Sequence, residues 1–252
     1  MDYISFGNGS KTLVVIPGLS DGLKTVKGSG LVFSMILKKY IKEYKIYVFS
    51  RKNKMEAGYS TKDMAKDQKL AMEKLGISKA HIIGISQGGM IAQHFAIDYP
   101  EMLEKLVIAV SISRQNETIQ NAIKSWIDMA ISEDYKSLVI DTIEKTYTGK
   151  NLKINRIMYP VSTRLGRPKS FDRFIIQANS CINHNAYDEL DKITCPTLVI
   201  GGDSDKVVGE NTSQEMAKKI KDSKLIIYEG LGHGAFVEAK DFNDQILNFF
   251  RE

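Results

Sequence analysis

Cysteine is scarce in this chain: Cys181 and Cys195 are the only two among 252 residues. That is too few for a disulfide framework, and they form no C-x-x-C pair. Four histidines are present, none paired at H-x-x-x-H spacing, which argues against a metal centre. No apolar run is long enough to span a membrane. Met1 to Ser10 has no basic stretch followed by an apolar one, so no secretory signal is expected and a reducing cytoplasm is the default. The net charge of +5 is spread along the length without a like-charge block. A nucleic-acid arm is therefore not expected. Internal repeats and low-complexity tracts are absent. The first strand is not followed by G-x-G-x-x-G, so a dinucleotide cofactor is not expected either.

What the chain does have is Gly84-Ile85-Ser86-Gln87-Gly88. The apolar run His81-Ile82-Ile83 precedes it, and helically spaced apolar residues follow as far as Tyr99-Pro100. The order is strand, sharp turn, helix. A strained turn in that context lifts the serine hydroxyl clear of the sheet. Gly84 and Gly88 lack a Cβ and let the two arms of the turn approach. The following helix points its free N–H groups and positive dipole end at the serine. Ser86 is the candidate nucleophile.

The rest alternates between buried strand and helix. Tyr3–Phe6 reads as a short edge strand, and Thr12–Ile16 and Tyr44–Phe49 as strands. Leu31–Tyr40 has helical spacing. A helix opens at Ser60-Thr61-Lys62-Asp63 with Met64, Leu70, Met72 and Leu75 as inward positions, and Gly76 ends it. Leu106–Val110, Thr197–Ile200 and Leu225–Tyr228 complete the strands, and the last helix runs to Phe250. This rhythm implies an α/β fold with a mostly parallel sheet flanked by helices. It lapses between residues 115 and 191, where only helical periodicity is found. The expected organisation is a core of residues 1–114 and 192–252 with a helical cap, or lid, at 115–191.

Three motifs give the chain a resemblance to the α/β-hydrolase superfamily over nearly its whole length, and to its small capped esterase-like members in particular. They are Gly84–Gly88, the run Gly202-Asp203-Ser204-Asp205 after a strand, and Gly232-His233 after the last strand. The order Ser86, Asp205, His233 is the order of that family. The resemblance implies that His233 takes the serine proton and that a carboxylate orients the imidazole. Asp205 is preferred over Asp203, which sits in the turn directly after Gly202. It also implies an oxyanion hole built from the backbone N–H groups of Leu19 and Gln87. Pro17-Gly18 stands where many relatives have His-Gly.

Among the other histidines, His81 and His94 read as structural. His184 and Trp126, both in the insertion, are candidates for lining a substrate pocket, with packing between lid and body as the alternative for the tryptophan. The expected activity is hydrolysis of a carboxylic ester of a small acyl substrate. Thioester cleavage, C–C bond hydrolysis and perhydrolysis use the same triad, and some proteins of this fold act as small-molecule receptors. The expected partner is a small-molecule acyl substrate, with the chain either a monomer or a homodimer.

Overall fold

A computed structural model describes residues 1–252. The chain runs β1 (Tyr3–Phe6), β2 (Lys11–Ile16), α1 (Gly30–Ile36), β3 (Tyr44–Phe49), α2 (Thr61–Lys74), β4 (Ala80–Ile85), α3 (Gln87–Asp98) and β5 (Leu103–Ala109). Five helices follow: α4 (Glu117–Ile131), α5 (Tyr135–Thr146), α6 (Gly149–Ile157), α7 (Tyr159–Ser162) and α8 (Asp172–Ile182). The alternation resumes with β6 (Thr197–Gly202), α9 (Thr212–Lys219), β7 (Ser223–Tyr228), α10 (Ala235–Glu238) and α11 (Phe242–Arg251). This is the α/β-hydrolase fold with a helical insertion. A single sheet of seven strands has the order β1-β3-β2-β4-β5-β6-β7. Only β1 is antiparallel to its neighbour.

The strands read as continuous apolar runs because both faces of a parallel sheet are covered. One face packs Val14, Ile82, Leu106 and Val199 against Met64 and Met72 of α2, Phe95 of α3 and Met216 of α9. The other packs Leu13, Ile46, Val107 and Leu198 against Phe242, Ile246 and Phe250 of α11. A third cluster ties the insertion to the body, with Trp126, Leu138 and Phe174 meeting Leu19, Met90 and Val207.

The strand order fixes where chemistry can occur. The chain goes from β2 outward to β3, then returns to the opposite side of β2 to lay down β4. That reversal opens a crevice at the carboxyl ends of β2 and β4, the usual ligand position in such sheets. Leu19 follows β2 and Ser86 follows β4.

Two expectations are corrected here. Helical spacing over Leu31–Tyr40 implies an inward apolar face, yet α1 stops at Ile36, and Leu31, Val32, Met35 and Ile36 are all exposed. Only Leu37 and Tyr40, in the turn beyond it, are buried. Leu70 is likewise on the outside of α2, while Met64 and Met72 are fully enclosed. Ser60 caps that helix in a reciprocal pair with Asp63, and Gly76 stands at φ +70° beyond its end.

Candidate active site

Four loops at the carboxyl edge of the sheet meet around Ser86. The serine lies between β4 and α3 at φ 55°, ψ −119°. An L-residue reaches such a conformation only when its surroundings impose it. Here the backbone is held on both sides. Ser86 N donates to Ala109 O at 2.9 Å, and Ser86 O accepts from Ser111 Oγ and Gly89 N, each at 2.8 Å. The flanking glycines are sterically required. A Cβ on Gly88 would stand 1.9 Å from Ile16 O, and one on Gly84 would stand 2.4 Å from Gly88 O.

His233 Nε2 lies 2.9 Å from Ser86 Oγ, and its Nδ1 lies 2.8 Å from Asp205 Oδ2. Both His233 and Asp205 are buried. The second carboxylate oxygen of Asp205 accepts from the N–H groups of Val207 and Val208, at 2.8 and 2.9 Å. The carboxylate is thereby fixed in orientation and its charge is stabilised by backbone donors. Asp203 turns elsewhere, accepting from Gly230 N and Ser204 Oγ, each at 2.8 Å. The structure thus brings Asp205, and not Asp203, to the histidine.

Leu19 opens a turn of 3-10 helix, Leu19–Gly22, and Gln87 is the first residue of α3. The N–H groups at such positions have no partner inside their own helix. Gly18 lets the β2 loop lie against the serine, since a Cβ there would be 3.3 Å from Ser86 Cβ.

Beneath these two positions lies a cluster that the sequence did not reveal. Arg51, just after β3, is fully enclosed. Its Nη2 donates to Pro17 O, on the loop carrying Leu19, and to the Gln87 side-chain Oε1 at 2.9 Å. One guanidinium therefore ties together the two elements that carry the candidate oxyanion donors. Gln87 Nε2 donates in turn to Gln177 O of α8 at 2.8 Å. Asp21, also buried, accepts from Arg51 N and from Arg173 Nη2 of α8. Helix α8 of the insertion is thus bonded directly to both walls of the candidate oxyanion hole. Burial pulls the Arg51 guanidinium below its ordinary value, and Asp21 opposes that shift. A lone arginine after a strand carries no sequence signal of such a role; only its place in the fold reveals it.

The two pocket candidates are held by packing contacts. Trp126 is buried in the cluster joining insertion and body, and its Nε1 donates to Asp141 Oδ2 at 2.6 Å. His184 is buried with Nδ1 3.0 Å from Thr61 Oγ1, its ring edge-on to His94 at 5.1 Å. Burial lowers the His184 pKa to about 3, so it stays neutral. The cysteines are no rivals to Ser86 as nucleophile. Burial pushes Cys181 up to about 12 and Cys195 to about 11, which keeps both thiols protonated. No group of three or more histidine, cysteine, aspartate or glutamate side chains is placed to hold a metal ion.

Known proteins agree with this architecture. Residues 46–240 match the family described as alpha/beta hydrolase fold. A 2-hydroxy-6-oxononadienedioate/2-hydroxy-6-oxononatrienedioate hydrolase of a Pseudomonas species is 29% identical over 192 residues, 73% of this chain and 68% of that protein. A proline iminopeptidase of Saccharolobus solfataricus is 24% identical over 206 residues, 73% of this chain and 65% of that one. Among solved structures, MGS-M2, an alpha/beta hydrolase enzyme from a Medee basin deep-sea metagenome library, superposes with a TM-score of 0.86. It is 22% identical, with 100% of this chain and 94% of that one covered. The enol-lactonase from Burkholderia xenovorans LB400 gives 0.82 at 16% identity, covering 100% and 96%. With the match spanning most of its length, the chain belongs to the α/β-hydrolase fold family.

Proposed function

We propose that this α/β-fold hydrolase cleaves a carboxylic ester of a small molecule through an acyl-enzyme formed on Ser86. The observation that carries the reading is the unbroken hydrogen-bonded line from Ser86 Oγ through His233 to Asp205, at 2.9 and 2.8 Å. Ser86 Oγ attacks the ester carbonyl while His233 Nε2 takes its proton. Asp205 keeps the imidazole in the tautomer with a proton on Nδ1 and stabilises the imidazolium as it forms. The N–H groups of Leu19 and Gln87 receive the negative charge on the carbonyl oxygen. His233 returns the proton to the departing alcohol. Water then repeats the sequence to release the acid and regenerate Ser86. The helices between β5 and β6 cover the site as a cap, with α8 as their fixed side.

A second reading is C–C bond hydrolysis. It is favoured by the relative named as a hydrolase of 2-hydroxy-6-oxo-dienedioates. The same serine, base and oxyanion donors would act on a ketone carbonyl, with a stabilised carbanion as the leaving group.

Purified protein is expected to turn over short-chain p-nitrophenyl esters and to be labelled at Ser86 by a fluorophosphonate. Ser86→Ala should remove both. Failure of the wild type in both assays overturns the hydrolase reading. Turnover of a 2-hydroxy-6-oxo-dienoate at a higher kcat/KM than any ester of a matched acyl series moves the assignment to the second reading.

A further inference from the structure

Each loop that carries a group of the candidate site is tied to the helical insertion. Asp21, in the turn that Leu19 opens, accepts from Arg173 of α8, and Gln87 Nε2 donates to Gln177 O of the same helix. Beyond Asp205, Val208 O accepts from Asn116 Nδ2, at the start of α4, at 2.7 Å. The loop of His233 has a tie of its own, to the corner between α5 and α6.

His233 lies in Gly230-Leu231-Gly232-His233-Gly234. Three glycines in so short a loop leave it little stiffness of its own. Before the histidine it is held by the segment that follows β6. Gly230 N donates to Asp203 Oδ1 at 2.8 Å, and Ser204 N to Leu231 O at 3.0 Å. After the histidine, the first bond out of the loop goes to the insertion: Gly234 N donates to Thr146 O at 2.7 Å. Glu238, at the end of α10, then accepts from Thr148 N at 3.0 Å and from Thr148 Oγ1 at 3.2 Å.

Thr148 is the N-cap residue of α6, where a threonine hydroxyl ordinarily accepts from a helix N–H. Its side chain makes no such bond here and donates to Glu238 instead. The same carboxylate takes the backbone N–H of Thr148. The pair therefore serves the join between insertion and histidine loop at the expense of the helix's own cap.

We infer that Glu238 is a positioning residue for His233. Its carboxylate, closed on Thr148, fixes the far end of the histidine loop and so holds Nε2 at its 2.9 Å from Ser86 Oγ. Glu238 acts through the loop and not on substrate, and the inference rests on His233 being the base of the proposed reaction.

The test is steady-state hydrolysis of a p-nitrophenyl ester by variants of the full chain. Glu238→Ala is expected to lower kcat by about tenfold with KM nearly unchanged, and to slow fluorophosphonate labelling of Ser86 by the same factor. Glu238→Gln keeps an oxygen for Thr148 N and an amide for its hydroxyl, and should return kcat to within about twofold of wild type. Thr148→Val removes only the hydroxyl and carries the test should Glu238→Ala not fold. It should cost about threefold in kcat and add nothing to Glu238→Ala in the double variant. Hydrogen exchange of the peptides around Gly234 and Thr146 reads the tie without turnover and should quicken in Glu238→Ala but not in Glu238→Gln. An unchanged kcat in Glu238→Ala, a rise in KM alone, an equal loss in Glu238→Gln or unchanged exchange overturns the inference. A wild type that neither turns over esters nor is labelled defeats the hydrolase reading instead, and exchange then decides whether Glu238 holds the loop.

Discussion

Two polar clusters flank Ser86, and they are built on different principles. On one side, Asp205 and His233 form a short line in which every working atom has a partner. On the other, Arg51, Asp21, Arg173, Gln177 and Gln87 pack two guanidinium groups around one carboxylate, out of contact with solvent except at the edge of Arg173. Several atoms there have no hydrogen-bond partner in the protein, among them Arg51 Nε and Nη1, Arg173 Nε and Nη1, and Asp21 Oδ1. The first cluster is a line that ends on one oxygen, Ser86 Oγ. The second fixes the separation between two loops and one helix of the insertion.

Breaking the first cluster should give the largest change in rate. Asp205→Asn is expected to lower kcat by about 10³–10⁴-fold, because the histidine loses the partner that sets its tautomer. Asp203→Asn, which disturbs only Gly230 N and Ser204, should cost less than about tenfold. Steady-state ester hydrolysis by the two variants checks this, and an equal loss would erase the distinction between the carboxylates.

The second cluster should respond chiefly in stability. Asp21→Ala leaves two guanidinium groups facing each other without their shared carboxylate. About 3–5 kcal/mol of folding stability is expected to go, read from the denaturant midpoint at constant slope. A loss under about 1 kcal/mol would show the charges to be better compensated than their bonding indicates.

A smaller effect separates the positioning role of Arg51 from plain stability. Arg51→Met keeps the volume and leaves Asp21 paired with Arg173. It is expected to reduce kcat by about tenfold with KM nearly unchanged, since both proposed oxyanion donors remain but their spacing relaxes. A matching drop in affinity for a boronic acid that mimics the tetrahedral adduct would accompany it. A rise in KM with constant kcat would place Arg51 in substrate binding instead.

The pH dependence of folding should follow the buried histidines. Burial lowers His81 to about 4 and His184 to about 3, below the unfolded value of about 6.5. The unfolded chain therefore binds protons first as pH falls. The stability these groups contribute is complete above about pH 6.5 and is lost progressively between there and about pH 3–4. His81 stacks on Phe250 at 4.6 Å, so His81→Phe should keep that contact and flatten part of the slope. Thermal melts between pH 4 and 7 measure it, and an unchanged slope would remove His81 from the account.

The serine turn was legible in the amino-acid order because its requirements are local. A strand, two residues without Cβ and a helix start must adjoin Ser86 whatever the remainder does, and Gly84 and Gly88 meet steric limits that sequence alone anticipates. The alternating strands were legible too, since a sheet covered on both faces demands continuous apolar runs. Resemblance to a family supplied the pairing of Asp205 with His233 and the choice of Leu19 and Gln87. Tertiary structure alone decided the rest. The strand order that opens a crevice between β2 and β4 depends on long-range pairing that no window of residues encodes. The same holds for α1, whose apolar spacing promised a buried face, yet Leu31, Val32, Met35 and Ile36 stand in solvent and only Phe33 packs on the core. Helical period tells which residues share a face, not whether anything covers it. Arg51 shows the reverse case: a residue type that usually seeks water is enclosed because Pro17, Gln87 and Asp21, distant in sequence, converge on its guanidinium.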